Sequence, residues 1–245
     1  KEGPFANPAV RRAISLAIDR QFMIDNIFFG YGKPATSALS TNFKPTGLYA
    51  SMPNYPARGD IASAKALLDS AGIKPDANGV RIRAILDLIP YGEDWRRAGE
   101  YLKQVLGDIG IKLELRYEDV PTWLKRIYHN YDFVMNVNYF YQLPDPVLGV
   151  HRHYGTDQIR KGTHFVNSSR YSNSELDELL ASGATEANAQ KRTQIYKKIQ
   201  EILARDMPVV NLFELQFLTV YNTKLKGAYN SALGAYASFS EAYLD

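Results

Sequence analysis

VRIRAILDL at residues 80–88, IKLELRY at residues 111–117 and FVMNVNYF at residues 133–140 are the three segments that decide the fold. Residues 111–117 alternate apolar and charged side chains, which is typical of a strand with one face toward water. A helical pattern capped by Asp94 and ending at Gly110 separates the first two segments, and a second helix opened by Pro121 separates the next two. Short strand–helix–strand connections favour right-handed βαβ units. The sequence therefore predicts an α/β fold with a largely parallel or mixed sheet flanked by helices.

Before this region, the sequence predicts two helices and a long loop. Asn7 and Pro8 begin a helical pattern that extends to about residue 28. Residues 31–59 contain four prolines among Gly, Ser, Thr and Asn, which predicts an extended loop long enough to suggest a function. Asp60 then caps a short helix that ends at Gly72.

After this region, the pattern becomes helical again. We expect a short helix capped by Ser174 and a longer helix over about residues 188–205, stopped by Pro208. Two strands, about 209–213 and 217–221, should follow. The last residues are rich in aromatic side chains, Ala and Ser without a clear period, so we expect them to pack on something else.

Composition excludes several classes of function. The 29 basic and 26 acidic residues are interspersed and leave a net charge of only +3, which disfavours nucleic acid as a partner. The chain has no cysteine and therefore no thiol chemistry, but this leaves its compartment open. No apolar run approaches the roughly 20 residues needed to span a bilayer, so we expect a soluble chain.

Candidate catalytic and metal sites are weak. His151 and His153 would point the same way if they lay on a strand, yet the third ligand of a zinc site is missing. Asp145 and Glu214 could act as an acid/base pair, but nothing in the sequence fixes their separation. No GxSxG, GxGxxG or P-loop motif occurs. We therefore expect neither an enzyme nor a metal or cofactor site.

The loop at residues 139–154 is the best candidate for a binding surface. Ligands of open parallel sheets bind beyond the carboxyl ends of the strands, and this loop follows the third predicted strand. It contains several aromatic side chains, which offer rigid stacking surfaces. Together they fit a small-molecule or peptide-binding surface without catalytic groups.

Three segments carry a family resemblance that spans nearly the whole chain. The three segments resemble blocks of extracytoplasmic solute-binding proteins. They are PFANPAVRRAISLAIDRQFMIDNIFFGYGKPA at residues 4–35, QLPDPVLGVHRHYG at residues 142–155, and FVNSSRYSNSELDELL at residues 165–180 with its continuation to residue 210. The resemblance is to the peptide/nickel/opine class, which serves ABC importers. Such proteins have two lobes that close on a solute.

The resemblance implies a periplasmic-binding-protein-like type II fold for residues 1–222, as the second, ligand-binding lobe. It implies that residues 223–245 return to a first lobe absent from this chain, and that exposed aromatic residues there would promote association. A small-molecule or peptide-like solute and an ABC permease are the implied partners, and the implied location is periplasmic or extracytoplasmic. The alternative is a stand-alone module that binds a protein partner or itself through the same surface.

The resemblance also implies which side chains face the solute. Gln142 stands where peptide-binding members commonly carry an aspartate for the ligand's amino group, and Tyr139 stands where the family often has tryptophan. We expect Tyr139, Tyr141, Gln142 and Asp145 to face the solute, together with His151, although Asp145 could instead cap the following turn. A neutral amide at position 142 disfavours an ammonium anchor.

Overall fold

The computed structural model describes residues 3–53, 55–229, 231, 236 and 238–245. The chain divides into two compact units, Lys1–Glu214 and Leu215–Asp245. The helices are α1 (Pro8–Ala17), α2 (Arg20–Asn26), α3 (Ile61–Ser70), α4 (Glu93–Asp108), α5 (Val120–Leu124), α6 (Val150–Tyr154), α7 (Ser174–Thr185) and α8 (Ala189–Asp206). The strands are β1 (Gly32–Pro34), β2 (Ile82–Asp87), β3 (Ile111–Arg116), β4 (Met135–Asn136), β5 (Phe213–Leu215), β6 (Leu225–Lys226) and β7 (Tyr243–Leu244).

A three-stranded parallel sheet with the order β3-β2-β4 organises the first unit. Ile82 pairs with Ile111 at one end of β2, and Asp87 pairs with both Arg116 and Asn136 at the other. The carboxyl ends of all three strands therefore meet at one edge. Helix α4 connects β2 to β3, and α5 with the π-helical turn Lys125–Asn130 connects β3 to β4. The predicted α/β fold with parallel βαβ units is confirmed.

Helix α4 approaches the residues after β2 closely because Gly99 has no side chain. A Cβ at this position would lie 2.2 Å from Cδ1 of the buried Leu88. Trp95, Leu102 and Leu106 complete the buried face of the helix, which confirms the helix predicted between the first two strands. The helix begins at Glu93 after Gly92, and the prediction that Asp94 caps it is wrong.

The single helix predicted over residues 8–28 is in fact two helices. Ile18 adopts an extended conformation, and the Asp19 carboxylate accepts a hydrogen bond from Phe22 N at 2.7 Å, which caps α2. The buried Arg20 guanidinium donates to the carbonyl of Ser15 at 2.9 Å. An apolar period alone could not show this break, because the residues on both sides of it are buried.

Two further helix starts differ from the predictions by one residue. Asn173, not Ser174, caps α7, since its side-chain oxygen accepts from Leu176 N at 3.1 Å. Asp119 caps α5 by accepting from Thr122 N at 2.9 Å, so Pro121 is the second helical residue. The predicted Asp60 cap of α3 is confirmed by the bond from Ser63 N at 2.9 Å, and α8 confirms the helix predicted over residues 188–205.

Some predicted strands are shorter than expected or lie elsewhere. Only residues 135–136 of the predicted strand 133–140 pair with β2. The strand predicted over 209–213 is β5, which begins only at Phe213 and pairs with β1. Residues 217–221 form no strand, so that prediction is wrong. The long loop predicted over 31–59 is confirmed for residues 31–53 and 55–59, apart from β1 and a 3-10 turn at Thr41–Phe43.

Helices α7 and α8 pack against the loop that follows β1. Their common core is formed by buried apolar side chains of both helices and of the loop, including Leu39, Phe43, Leu180, Tyr196, Ile199 and Leu203. The Gln200 side chain, which is fully buried in α8, joins the same layer. Its oxygen accepts from Ser37 Oγ and Ala50 N, and its nitrogen donates to Leu48 O, each at 2.8 Å.

The second unit, Leu215–Asp245, contains a two-stranded antiparallel sheet in which Leu225 pairs with Leu244. Several of its large apolar side chains are exposed: Phe217, Leu218, Val220, Tyr221, Tyr236, Phe239, Tyr243 and Leu244. No helix in the part of the chain that the structure describes is long and apolar enough to cross a membrane.

Candidate functional site at the carboxyl edge of the sheet

Four aromatic side chains pack against one another just beyond the ends of β2 and β4. Tyr139 lies at its centre, with its ring centroid 5.7 Å from Tyr91, 5.9 Å from Trp95 and 5.5 Å from Tyr141. Tyr91 and Tyr141 are 39% and 48% exposed, whereas Trp95 is buried. We call Tyr91, Trp95, Tyr139 and Tyr141 the aromatic wall. The aromatic wall contains Tyr139 and Tyr141, which were predicted from the sequence, and Tyr91 and Trp95, which were not.

Backbone and side-chain hydrogen bonds fix the segment that carries Tyr139. Val137 N donates to Asp87 O at 2.8 Å, which continues the alignment of β4 with β2. Asn138 donates from Nδ2 to the hydroxyl of the buried Tyr128 at 2.6 Å, and its oxygen accepts from Tyr139 N at 2.9 Å. Burial raises the pKa of Tyr128, so its hydroxyl stays neutral. The aromatic wall therefore stands on a rigid base.

Gln142 uses both ends of its side-chain amide to hold the loop after β1. Its nitrogen donates to Ala38 O and its oxygen accepts from Ser40 N, both at 2.7 Å. The side chain is half-buried. These contacts give Gln142 a structural role that its sequence position does not reveal, because its partners lie about a hundred residues earlier.

Glu214 holds the same loop from β5. Its carboxylate accepts from Thr41 N at 2.8 Å, Thr41 Oγ1 at 2.8 Å and Ser40 Oγ at 2.9 Å. Ser40 and Thr41 are thus fixed between Gln142 and Glu214. The length of the loop suggested a function, but no local pattern indicated these two hydroxyls.

Asp145 forms an ion pair with Arg192. Both of its carboxylate oxygens lie 2.8 Å from Arg192 Nη2, and Oδ1 also accepts from Val147 N at 2.9 Å. Asp145 therefore caps the 3-10 turn Pro146–Leu148, the second of the two roles considered for it. Since Glu214 binds Ser40 and Thr41 instead, the two carboxylates have separate partners and the structure gives no support to an acid/base pair.

His151 and His153 do not converge on a metal. They lie on helix α6 and not on a strand, so residues two apart point in different directions. His151 Nε2 lies 2.9 Å from Asp157 Oδ1, while His153 is buried against Phe140. Desolvation and then the Arg152 charge lower the pKa of His153 to about 3. Within the described residues, no group of three or more His, Asp or Glu side chains could hold a metal ion.

A buried carboxylate lies at the same edge of the sheet. Asp87 is 0% exposed, and Arg116 Nε lies 2.7 Å from its Oδ1. Arg126 lies 3.8 Å from the same oxygen and pairs with Glu118 at 2.6 Å. Burial raises the pKa of Asp87, and the Arg116 charge opposes that shift. No local sequence pattern indicates this network, because its members are far apart in the chain.

Comparison with known proteins identifies the family. Residues 1–160 match the model of bacterial extracellular solute-binding proteins, family 5 middle. This chain belongs to that family. The resemblance found in the sequence is therefore confirmed, and family membership favours the solute-binding hypothesis over a stand-alone interaction module.

Individual relatives of this family 5 chain agree with the assignment. It is 26% identical over 228 residues to the glutathione-binding protein GsiB of Salmonella paratyphi A, covering 91% of this chain and 42% of the relative. It is 24% identical over 234 residues to a dipeptide-binding protein of Pseudomonas aeruginosa, covering 96% of this chain and 42% of the relative. The chain thus spans less than half the length of these relatives, which are named as binding proteins and not as enzymes.

Solved structures confirm the fold. The ABC transporter substrate-binding protein CtaP of Listeria monocytogenes superposes with a TM-score of 0.71 at 28% identity, over 85% of this chain and 40% of that one. The oligopeptide-binding protein AppA of Bacillus subtilis, in complex with a nonapeptide, gives 0.78 at 19% identity, over 98% and 48%. The family 5 chain therefore has the fold of one part of a larger binding protein.

Proposed function

We propose that this chain supplies one wall of the solute-binding cleft of an ABC-importer binding protein. The observation that carries the proposal is the aromatic wall, which stands at the carboxyl edge of a parallel sheet, where ligands of such sheets bind. Exposed tyrosine rings offer flat apolar surfaces with hydroxyl groups, which suit a small or peptide-like solute.

The polar groups at this edge are engaged within the protein. The Gln142 amide is used at both ends, Asp145 is paired with Arg192, and Glu214 binds the Ser40–Thr41 segment. None of the three is thus a ready anchor for an ammonium group. We infer that stacking on Tyr139 and Tyr141 dominates recognition by this wall, and His151, which bonds Asp157, stays a proposed further contact.

The remaining proposals concern the whole protein. Residues 1–222 would form the second lobe, and residues 223–245 would return to a first lobe that completes the cleft and encloses the solute. The loaded protein would deliver the solute to an ABC permease from a periplasmic or extracytoplasmic location. This arrangement is supported by the share of the two relatives that the chain covers, which is 42% of the length of each.

The test is solute binding by the intact two-lobed protein and its Tyr139→Ala variant. Native mass spectrometry identifies a co-purified solute, and glutathione, dipeptides and tripeptides serve as direct probes in calorimetry. We expect Tyr139→Ala to weaken binding by up to about tenfold, since an aromatic contact contributes about 0.5–1.5 kcal/mol beyond its area burial.

Two matched variants separate stacking from other effects. Tyr139→Phe keeps the ring and should keep most of the affinity. Phe22→Ala removes an exposed ring that stacks on Tyr101 at 5.1 Å, outside the aromatic wall, and should leave binding unchanged. Equal affinities of the parent protein and Tyr139→Ala would refute the proposed site.

A further inference from the structure

His129 and His164 face each other on the surface of the first unit. Their Nε2 atoms are 3.2 Å apart and their ring centroids 5.3 Å apart, although the residues are separated by 35 positions in the sequence. His129 is exposed and His164 is half-buried. Neither histidine belongs to the aromatic wall, and the solute-binding proposal uses neither of them.

The backbone around both histidines is tied to the buried core. His129 lies on the π-helical turn Lys125–Asn130, directly after the fully buried Tyr128. Gly162 N donates to Tyr128 O at 2.8 Å, which joins the two segments beside the histidines. The His164 ring also packs on the Tyr128 ring, with centroids 5.8 Å apart. The backbone contacts therefore hold the His129 and His164 side chains close to each other.

The separation of the two nitrogens suits a shared metal ion. Imidazole nitrogens bind zinc at about 2.0–2.1 Å, so two such ligands on one ion, at angles between square and tetrahedral, lie about 2.9–3.4 Å apart. The observed 3.2 Å falls within this range. A metal could enter between the rings with little movement, once both Nε2 atoms present their lone pairs.

We propose that His129 and His164 form a two-imidazole site for a divalent transition-metal ion. Two nitrogen ligands favour Cu²⁺, Ni²⁺ or Zn²⁺ over Mg²⁺ and Ca²⁺, which prefer oxygen. No third His, Asp or Glu side chain joins such a group within the described residues. The other coordination positions are therefore open to water or to a chelating small molecule. The competing explanation is a simple hydrogen bond between the two imidazoles.

The experiment is a titration of the full chain with Cu²⁺, because copper forms the most stable complexes of the divalent first-row ions. We expect one ion per chain at this site and an electron paramagnetic resonance spectrum with hyperfine coupling to two imidazole nitrogens. Either His129→Ala or His164→Ala should weaken binding by roughly a hundredfold or more, because a second tethered ligand acts at high effective concentration.

The chain supplies its own control, because it contains four histidines. His151→Ala removes a partly exposed imidazole that bonds Asp157 and should leave copper binding unchanged. Circular dichroism of each variant verifies folding, and His164→Cys, which replaces one metal ligand with another, should retain binding. Absence of a one-to-one complex, or equal affinity in the parent chain, His129→Ala and His164→Ala, would overturn the proposal and leave the hydrogen bond as the explanation.

Discussion

His153 shows at the scale of one residue how burial changes the charge of a side chain. Its ring lies 3.8 Å from that of Phe140 between centroids, and its pKa is lowered to about 3. In the unfolded chain a histidine has an ordinary pKa of about 6.5. Between these two values the unfolded state binds a proton that the folded state does not, so His153 makes stability fall as the pH decreases from about 6.5 toward 3.

We therefore expect His153→Leu to flatten the dependence of the free energy of unfolding on pH in this window. The slope should decrease by up to about 1.4 kcal/mol per pH unit, the value for one proton. Urea unfolding at a series of pH values measures it. His151→Leu, which removes the partly exposed histidine beside Asp157, is the control and should leave the slope unchanged. An unchanged slope in His153→Leu would mean that His153 is protonated normally in the folded protein.

At the scale of elements, Gln200 determines how the loop after β1 attaches to helix α8. Replacing it with leucine would leave Ala50 N and Leu48 O without their partner in a buried layer. We expect Gln200→Leu to lower the free energy of unfolding by about 2–4 kcal/mol, because each unsatisfied buried group costs about 1–3 kcal/mol. Chemical denaturation measures this, and limited proteolysis should cut the loop over residues 36–50 faster.

Gln194→Leu is the matched control for this prediction. Gln194 lies on the same helix but is exposed, so its replacement should change stability by less than about 0.5 kcal/mol. Similar losses in the two variants would show that helix propensity, and not the buried hydrogen bonds, explains the effect.

The elements were predicted well where a local pattern specifies them. The period of α4, the cap at Asp60 and the alternation of β3 all depend on residues within a few positions of each other. The break between α1 and α2 was not predicted, because the buried Arg20 bonds carbonyls as remote as those of Pro56 and Asn211. The prediction of a strand over residues 217–221 is wrong for a similar reason, because β-forming residues make a strand only where a partner strand is present.

At the scale of the whole molecule, the exposed apolar side chains of the second unit are the main feature to explain. Leu218 is 61% exposed and Val220 is 96% exposed, within the run FLTVY at residues 217–221. Contiguous apolar surface of this kind marks an interaction site. In the proposed two-lobed protein the first lobe would cover it, so we expect the isolated chain to associate with itself as its concentration rises.

Light scattering over a concentration series measures this association. Leu218→Lys combined with Val220→Lys should shift the chain toward the monomer, because two charges oppose burial of the run. Lysine at the exposed positions Gln190 and Gln194 adds the same charge on α8 and serves as the control. A chain that stays strictly monomeric at all concentrations would contradict the prediction.

The sequence by itself determined the parallel α/β fold, the two ends of α8 and the starts of α1, α3, α5 and α7 to within one residue, the family, and the loop in which Tyr139 and Tyr141 lie. These properties depend on short-range periods, on capping side chains and on motifs that are contiguous in the chain. Only the tertiary structure showed that Gln142 binds Ala38 and Ser40, that His153 is buried, and that His129 meets His164. Each of these depends on segments brought together by core packing, and packing sets both the distance between two groups and their access to water.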